Sequence, residues 1–236
     1  MVSPKNMYSD SITQWSVGQG CLFGCKYCLK SFQRQAKRQK NRCLQCYNFT
    51  PHFHPERLKT SLPNTSGDQF IWVWSSGDFS FAKPEWMEQI LTRIHQKSRK
   101  QFFFQTKDPS VFPKYDWPEN VWHGITLETN RDEGYDLISK APPPTKRVIN
   151  ASYGRYVDVI TIEPIMEFDL DIFVNFVKML HPMRVYIGYD TKKSNLPEPP
   201  LKKTRQLIEE LQKFVKVKPK LLREQYEQTG QQISCP

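Results

Sequence analysis

The sequence predicts an α/β fold in which parallel strands are joined by helical crossovers. Three observations carry that expectation. Short runs rich in β-branched and aromatic residues recur along the chain, segments with helical spacing lie between them, and most runs end on a charged or polar residue. Regular alternation of strand and helix is the pattern of a parallel sheet, either open or curled into a complete or partial barrel.

The strand candidates, in order, are Thr13–Val17, Phe70–Trp74, Phe102–Thr106, Trp122–Leu127, Arg147–Asn150, Val157–Ile162 and Arg184–Gly188. Between them lie helix candidates at Pro84–Lys97, Asp132–Ile138, Leu170–Leu180 and Leu201–Phe214. Pro142, Pro143 and Pro144 form one stiff connector, and Leu196–Pro200 forms another that leads into the last helix. Asp78, Lys107, Glu128, Glu163 and Asp190 each fall just past a strand candidate. In parallel α/β folds the carboxyl ends of the strands face one crevice or mouth, so these five side chains are expected to converge. The alternative is that they mark strand ends only because strands stop at the surface.

With 236 residues and no linker-like interior stretch, residues 1–236 read as one domain carrying a Cys-rich, basic insertion at about 29–60. A mean hydropathy of -0.64 and the lack of a long apolar run argue against a membrane-spanning helix. The polar Met1–Asp10 stretch lacks the apolar block of a secretory signal, so a cytoplasmic, reducing location is expected and a disulfide framework is not. Five of the six cysteines fall within 26 residues, a crowding that points to metal binding in such a compartment. A net charge of +10 favours polyanionic partners and solubility but says nothing about fold.

Directly after the first strand candidate comes Gly20-Cys21-Leu22-Phe23-Gly24-Cys25-Lys26-Tyr27-Cys28. Three thiolates on one short loop can occupy three corners of an iron–sulfur cube, which leaves one iron open to a small ligand. The spacing, and the aromatic before the last cysteine, resemble the radical SAM superfamily. That resemblance implies a [4Fe-4S] cluster on Cys21, Cys25 and Cys28, whose open iron is chelated by S-adenosylmethionine (SAM). One electron then cleaves the sulfonium to a 5′-deoxyadenosyl radical that abstracts hydrogen from a substrate.

The likeness extends along the chain through Trp15, Phe53-His54-Pro55-Glu56, Gly77-Asp78, Thr106-Lys107, Gly124 to Asn130, Ile162-Glu163-Pro164 and Tyr186-Ile187-Gly188. This order is similar to a little-characterised branch of phage-type proteins. It implies a partial TIM-like (β/α)6-type barrel with an additional C-terminal strand and helix. Ser76, Gly77 and Asp78 stand where the family contacts the methionine amino group of the cofactor. Thr126, Glu128 and Asn130 stand where family members reach its ribose or carboxylate. Lys107, Glu163 and Asp190 are then expected to point toward the substrate. An Asp at 78 replaces the more usual Glu, and Leu29 stands where this branch usually has Tyr. A one-electron donor such as flavodoxin or ferredoxin is implied as a partner.

A second motif, Cys43-Leu44-Gln45-Cys46, can hold zinc or part of a second cluster, with His52, His54 or Cys235 as candidate partners. An unmetallated thiol pair is the alternative. His54 reads as a loop residue bonded to backbone, Cys235 as a free thiol, and the stretch after Tyr226 as loosely organised. From Lys26 to Arg42 there are seven basic residues and no acidic one. If helical, Lys26, Lys30, Arg34, Arg38 and Arg42 form one positive stripe, suited to nucleic acid, a phosphorylated substrate or an acidic electron donor. The competing function is a zinc-stabilised nucleic-acid-binding protein that uses both cysteine groups structurally and grips phosphate with residues 26–42. Neither reading identifies a substrate.

Overall fold

Seven parallel strands form one sheet in the computed structural model, which describes residues 8–154, 156–220 and 222–223. They are β1 (Ser11–Trp15), β2 (Phe70–Val73), β3 (Phe102–Thr106), β4 (Val121–Thr126), β5 (Val159–Ile162), β6 (Arg184–Ile187) and β7 (Lys216–Pro219). Neighbours in the sheet are neighbours in sequence, and every pairing is parallel. With crossovers of one hand and no reversal of strand order, all helices fall on one face and the sheet curls around the other. The result is a half-barrel of the partial TIM-like kind.

The alternation of side chains shows both faces buried. Ile71, Val73, Phe102, Phe104, Ile160, Val185 and Ile187 join the helix-facing core, whereas Phe70, Trp72, Phe103, Val159 and Tyr186 form a separate cluster on the concave face. Tyr8 fills the floor of that concavity. Its ring lies 4.8–5.6 Å from Phe70, Trp72, Phe103 and Tyr186, and its hydroxyl is 2.8 Å from Thr161 Oγ1.

Four helices cover the convex face: α1 (Pro84–His95), α2 (Pro144–Ser152), α3 (Leu170–Leu180) and α4 (Leu201–Gln212). α1 begins with Pro at its first position and buries Met87, Ile90, Leu91 and Ile94, the spacing of one helical stripe. α2 corrects one expectation, because Arg147–Asn150 is helix rather than strand. Pro144 starts that helix, and Arg147, Val148 and Ala151 face inward while Ile149 is exposed, a 3.6-residue period. Asp132–Ile138 is also corrected: it contains only a single 3-10 turn, Tyr135–Leu137. β7, a short basic edge strand ending on Pro219, gave no strand signal in the sequence.

β1 and β7 are not paired with each other among the described residues, so the backbone ring stays open. Side chains span the seam instead. Asp10 and Asp68, just ahead of β1 and β2, meet Arg184 of β6 and Lys218 of β7, and Asp68 also meets Lys216.

The long connection from β1 to β2 carries the cysteines. The condition for one basic stripe, a continuous helix, is not met: Lys26–Leu29 and Phe32–Ala36 are separate short helices, followed by a 3-10 turn at Lys37–Gln39. Ser31 breaks the run with φ -117° and ψ -96°, so the cations do not form one stripe, although all seven remain exposed. Cys235 and the stretch after Tyr226 lie outside the described residues. No helix among the described residues is long and apolar enough to cross a membrane.

Candidate active site

Three local anchors set the Cys21–Cys28 loop at the carboxyl end of the sheet. Gly18–Gly20 pairs with both His52–Phe53 and Ser76–Gly77, the latter in parallel. The approach is close enough that a Cβ on Gly77 would lie 2.2 Å from the Gly20 carbonyl oxygen, and one on Gly20, at φ +91°, would strike the Thr50 backbone. The Asp78 amide donates to the Gly20 carbonyl at 3.1 Å, and the Cys21 amide donates to Phe49 at 3.1 Å. On the far side the Lys26 amide donates to Ile138 and the Lys140 amide to Phe23. The loop is thereby stitched to the segment following β4.

The three thiols line an open cavity together with Phe23, Tyr27, Trp72, Ser75, Gln105 and Thr106. Of the residues singled out in the sequence, Cys21, Cys25, Cys28, Gly77, Asp78, Lys107, Thr126 and Glu163 also line it. Ser76, Glu128, Asn130 and Asp190 are not among its lining residues. Ser76 belongs to the small sheet, with Ser75 taking its place at the wall. Asn130 Oδ1 accepts from the Asp169 amide at 2.9 Å. Asp190 closes its own turn by accepting from the Lys192 and Ser194 amides.

Asp78 is buried and held on three sides. Its Oδ1 accepts from the Ser80 amide at 3.0 Å and the Thr106 hydroxyl at 2.6 Å, and its Oδ2 accepts from the Lys107 amide at 2.8 Å. Burial raises its pKa, and these donors oppose the rise. Glu163 Oε1 accepts from Lys220 Nζ at 2.9 Å, while Oε2 is buried and without a hydrogen-bond partner among the described residues. Burial raises this carboxyl as well, with Lys220 offsetting part of the effect. Gly188 accommodates it, since a Cβ there would sit 3.1 Å from Oε2.

Behind the cavity wall Glu128 is fully buried in a polar knot. Arg147 Nη1 lies 2.7 Å from Oε2, the Tyr135 hydroxyl donates to Oε1 at 3.0 Å, Tyr27 donates to the same oxygen, and Lys107 Nζ stands 3.6 Å away. Burial pushes the carboxyl up, but Arg147 and then Lys107 outweigh it and bring its pKa down to about 2. Burial alone would lower Lys107, whereas Glu128 and Cys25 raise it overall. Lys107 is therefore a fixed cation with its ammonium 5.4 Å from the centroid of the Tyr27 ring.

Among the thiols, a hydrogen bond from Cys28 favours the Cys25 thiolate; burial and Glu128 oppose it, and Lys107 and Ser139 assist, with a net lowering, while Cys28 is raised in turn. Ser139 Oγ is 3.0 Å from Cys25 Sγ. Burial raises the Cys21 thiol, with Asp78 adding to the effect. These are soft ligands facing a cavity in which Lys107 supplies positive charge, a donor set that suits a thiolate-held iron–sulfur cluster.

His54 departs from its expectation. Its Nε2 lies 2.9 Å from His52 Nε2 and 3.2 Å from Cys46 Sγ, so it belongs to a cluster with Cys43, Cys46 and His52 rather than to a plain loop. The sequence reading passed over Arg147, Tyr135, Ser139, Ser75 and Gln105. Arg147 carried one usable signal, a cation placed at the inward position of a helix stripe opposite a strand-end acid.

No protein-family model matches the chain, and no curated protein sequence does. Its half-barrel fold is nonetheless shared with solved structures. A doubly substituted spore photoproduct lyase with bound AdoMet and dinucleoside spore photoproduct superposes with a TM-score of 0.53 at 12% identity, covering 90% of this chain and 63% of the lyase. A singly substituted form of the lyase gives 0.52 at 13% identity, covering 92% and 64%. The likeness is one of fold, and this chain spans less than two thirds of the lyase's length.

Proposed function

We propose that the chain is a radical S-adenosylmethionine enzyme, of the phage-type branch its motif order resembles, in which Cys21, Cys25 and Cys28 hold a [4Fe-4S] cluster. One observation carries the reading. Three sulfurs of a single loop line the strand-end cavity, and the histidines that would complete a zinc site there, His52 and His54, face Cys43 and Cys46 instead. The fold shared with a lyase that binds AdoMet supports the same reading. When bound, the cluster and S-adenosylmethionine supply reductive sulfonium cleavage and hydrogen-atom abstraction.

The chain's own residues position and shield that chemistry. Lys107 offsets the negative charge of the thiolates. Asp78 keeps an unshared electron pair on Oδ2 for a cationic amino group, since among the described residues the Lys107 backbone amide is the one donor to that oxygen. Glu163 Oε2 offers a further acceptor to cofactor or substrate. Phe23, Tyr27 and Trp72 exclude water from the cavity floor and sides. The exposed cations between Lys26 and Arg42 suit an acidic one-electron donor such as flavodoxin or ferredoxin.

Anaerobic reconstitution with iron and sulfide tests the reading. Dithionite and S-adenosylmethionine are expected to yield 5′-deoxyadenosine, and Cys25→Ala to lose cluster and cleavage together. Asp78→Asn is expected to keep the cluster's spectrum and weaken cofactor binding about 10-fold or more, the value of one charge-assisted hydrogen bond. A protein that forms no cluster, or one whose cluster is capped by a fourth side chain, would sink the proposal.

A further inference from the structure

We propose that Cys43, Cys46, His52 and His54 hold a single tetrahedral zinc ion that braces the loop against the strand feeding the cysteine triplet. One ligand atom from each residue falls within 4.8 Å of all the others. Cys46 Sγ is 3.2 Å from both His52 Nε2 and His54 Nε2, Cys43 Sγ is 3.6 Å from His52 Nε2, and the two Nε2 atoms are 2.9 Å apart. A tetrahedron with zinc–nitrogen and zinc–sulfur bonds of ordinary length has edges of about 3.3–3.8 Å, so the short edges between Cys46 and the two histidines open by a few tenths of an ångström on loading while the longest edges, none above 4.8 Å, close. Ligands divided between the two irons of a cluster would stand farther apart.

The hydrogen bonds around the site fix which ring nitrogens face inward. His52 Nδ1 is 2.7 Å from the Thr50 carbonyl, which can only accept, so that nitrogen carries the proton. His54 Nδ1 is 3.0 Å from Glu56 Oε1 and donates likewise. Each neutral imidazole then presents a bare lone pair at Nε2, and the two lone pairs face each other beside two sulfurs. Four electron-pair donors converge on one point, an arrangement that a cation satisfies. A carbonyl and a carboxylate holding the outer nitrogens are the usual supports of metal-bound histidines. The Cys46 amide donates to Cys43 Sγ at 3.4 Å, as the N–H groups of a C-x-x-C knuckle do.

The location supplies a purpose. Cys46 Sγ donates at 2.8 Å to Oε1 of Gln19, a residue between the two glycines that precede Cys21; with the sulfur metal-bound, the Gln19 amide would turn to donate to it instead. Phe49, three residues past Cys46, accepts the Cys21 amide and lines the cavity. Zinc would therefore fix the wall from which the triplet hangs, in a segment with little apolar core of its own.

Metal analysis of the full chain, purified from zinc-replete cells, tests this independently of any iron. The unaltered protein is expected to hold about one zinc, and the Cys43→Ser, Cys46→Ser double variant below about a tenth of that. Cobalt exchanged into the unaltered chain should give the strong visible bands and thiolate charge transfer of a four-coordinate site. His54→Cys should retain zinc where His54→Ala loses it, a distinction that packing alone does not produce. Cys25→Ala should keep its zinc, which separates failure here from failure of the cluster assignment. A zinc-free chain whose Cys43 and Cys46 both react freely with thiol reagents would refute the site. So would zinc retained in the double serine variant, or a two-iron signal lost with Cys46→Ser. If the serine variant unfolds by circular dichroism, the cobalt spectrum and the His54→Cys rescue still decide.

Discussion

Glu128 and Arg147 show how one buried pair can be costly to break at either end. Both side chains are fully buried, and Arg147 also donates to the Pro142 and Thr126 carbonyls. Removing one partner leaves the other charged and unpaired, so Arg147→Met or Glu128→Gln is expected to destabilise the fold by about 3–5 kcal/mol. Urea titration at neutral pH checks this. The sign with pH follows from the depressed carboxyl. A folded pKa of about 2 against an ordinary 4.5 gives stability that is fully present above 4.5 and lost as the pH falls toward 2. The gap between the unaltered protein and Glu128→Gln should therefore narrow across that window.

At the scale of elements, the small sheet depends on the absence of side chains at Gly77 and Gly20. Gly77→Ala is expected to lower stability by about 1–3 kcal/mol through overpacking against the Gly20 carbonyl, and to reduce cluster loading while the large sheet persists. Thermal unfolding and iron content measured on one sample check both parts. The strands themselves were legible from their β-branched and aromatic runs, and the helices α1, α3 and α4 from their apolar stripes. Parity within strands was the signal that the sequence reading left unused. Lys107 shares a face with Phe103, Glu163 with Val159, Glu128 with Thr126 and Asp190 with Tyr186, all on the concave side of the sheet. Lys107 and Glu163 reach the cavity. Glu128 is roofed over by Tyr27, Tyr135 and Arg147, and Asp190 is drawn into its own turn, contacts made by residues distant in sequence or by backbone. Arg147–Asn150 was misread because Val148-Ile149 has strand-like composition and a buried arginine is unusual without its partner in view. The histidine cluster was half visible: the C-x-x-C pair announced itself, but only the fold brings His54 to Cys46.

For the molecule as a whole, the half-barrel needs a plug as much as a wall. A closed barrel fills its interior with layers of strand side chains, whereas here Tyr8, from outside the sheet, completes the floor. Tyr8→Ala is expected to cost about 3–5 kcal/mol, and Tyr8→Phe about 1 kcal/mol for the Thr161 hydroxyl it leaves behind. Chemical denaturation of the two variants side by side separates ring from hydroxyl. Only the larger change should also disturb the cavity above, because Trp72 belongs to both.

The seam between the first and last strands is held by carboxylates, ammonium groups and a guanidinium, where a complete barrel would use a ladder of amides. Such a joint weakens as counter-ions crowd around it, since charges partly open to solvent are screened within about 8 Å at physiological ionic strength. The β7 edge is therefore expected to lose protection as ionic strength rises, which amide hydrogen exchange at low and high salt would show.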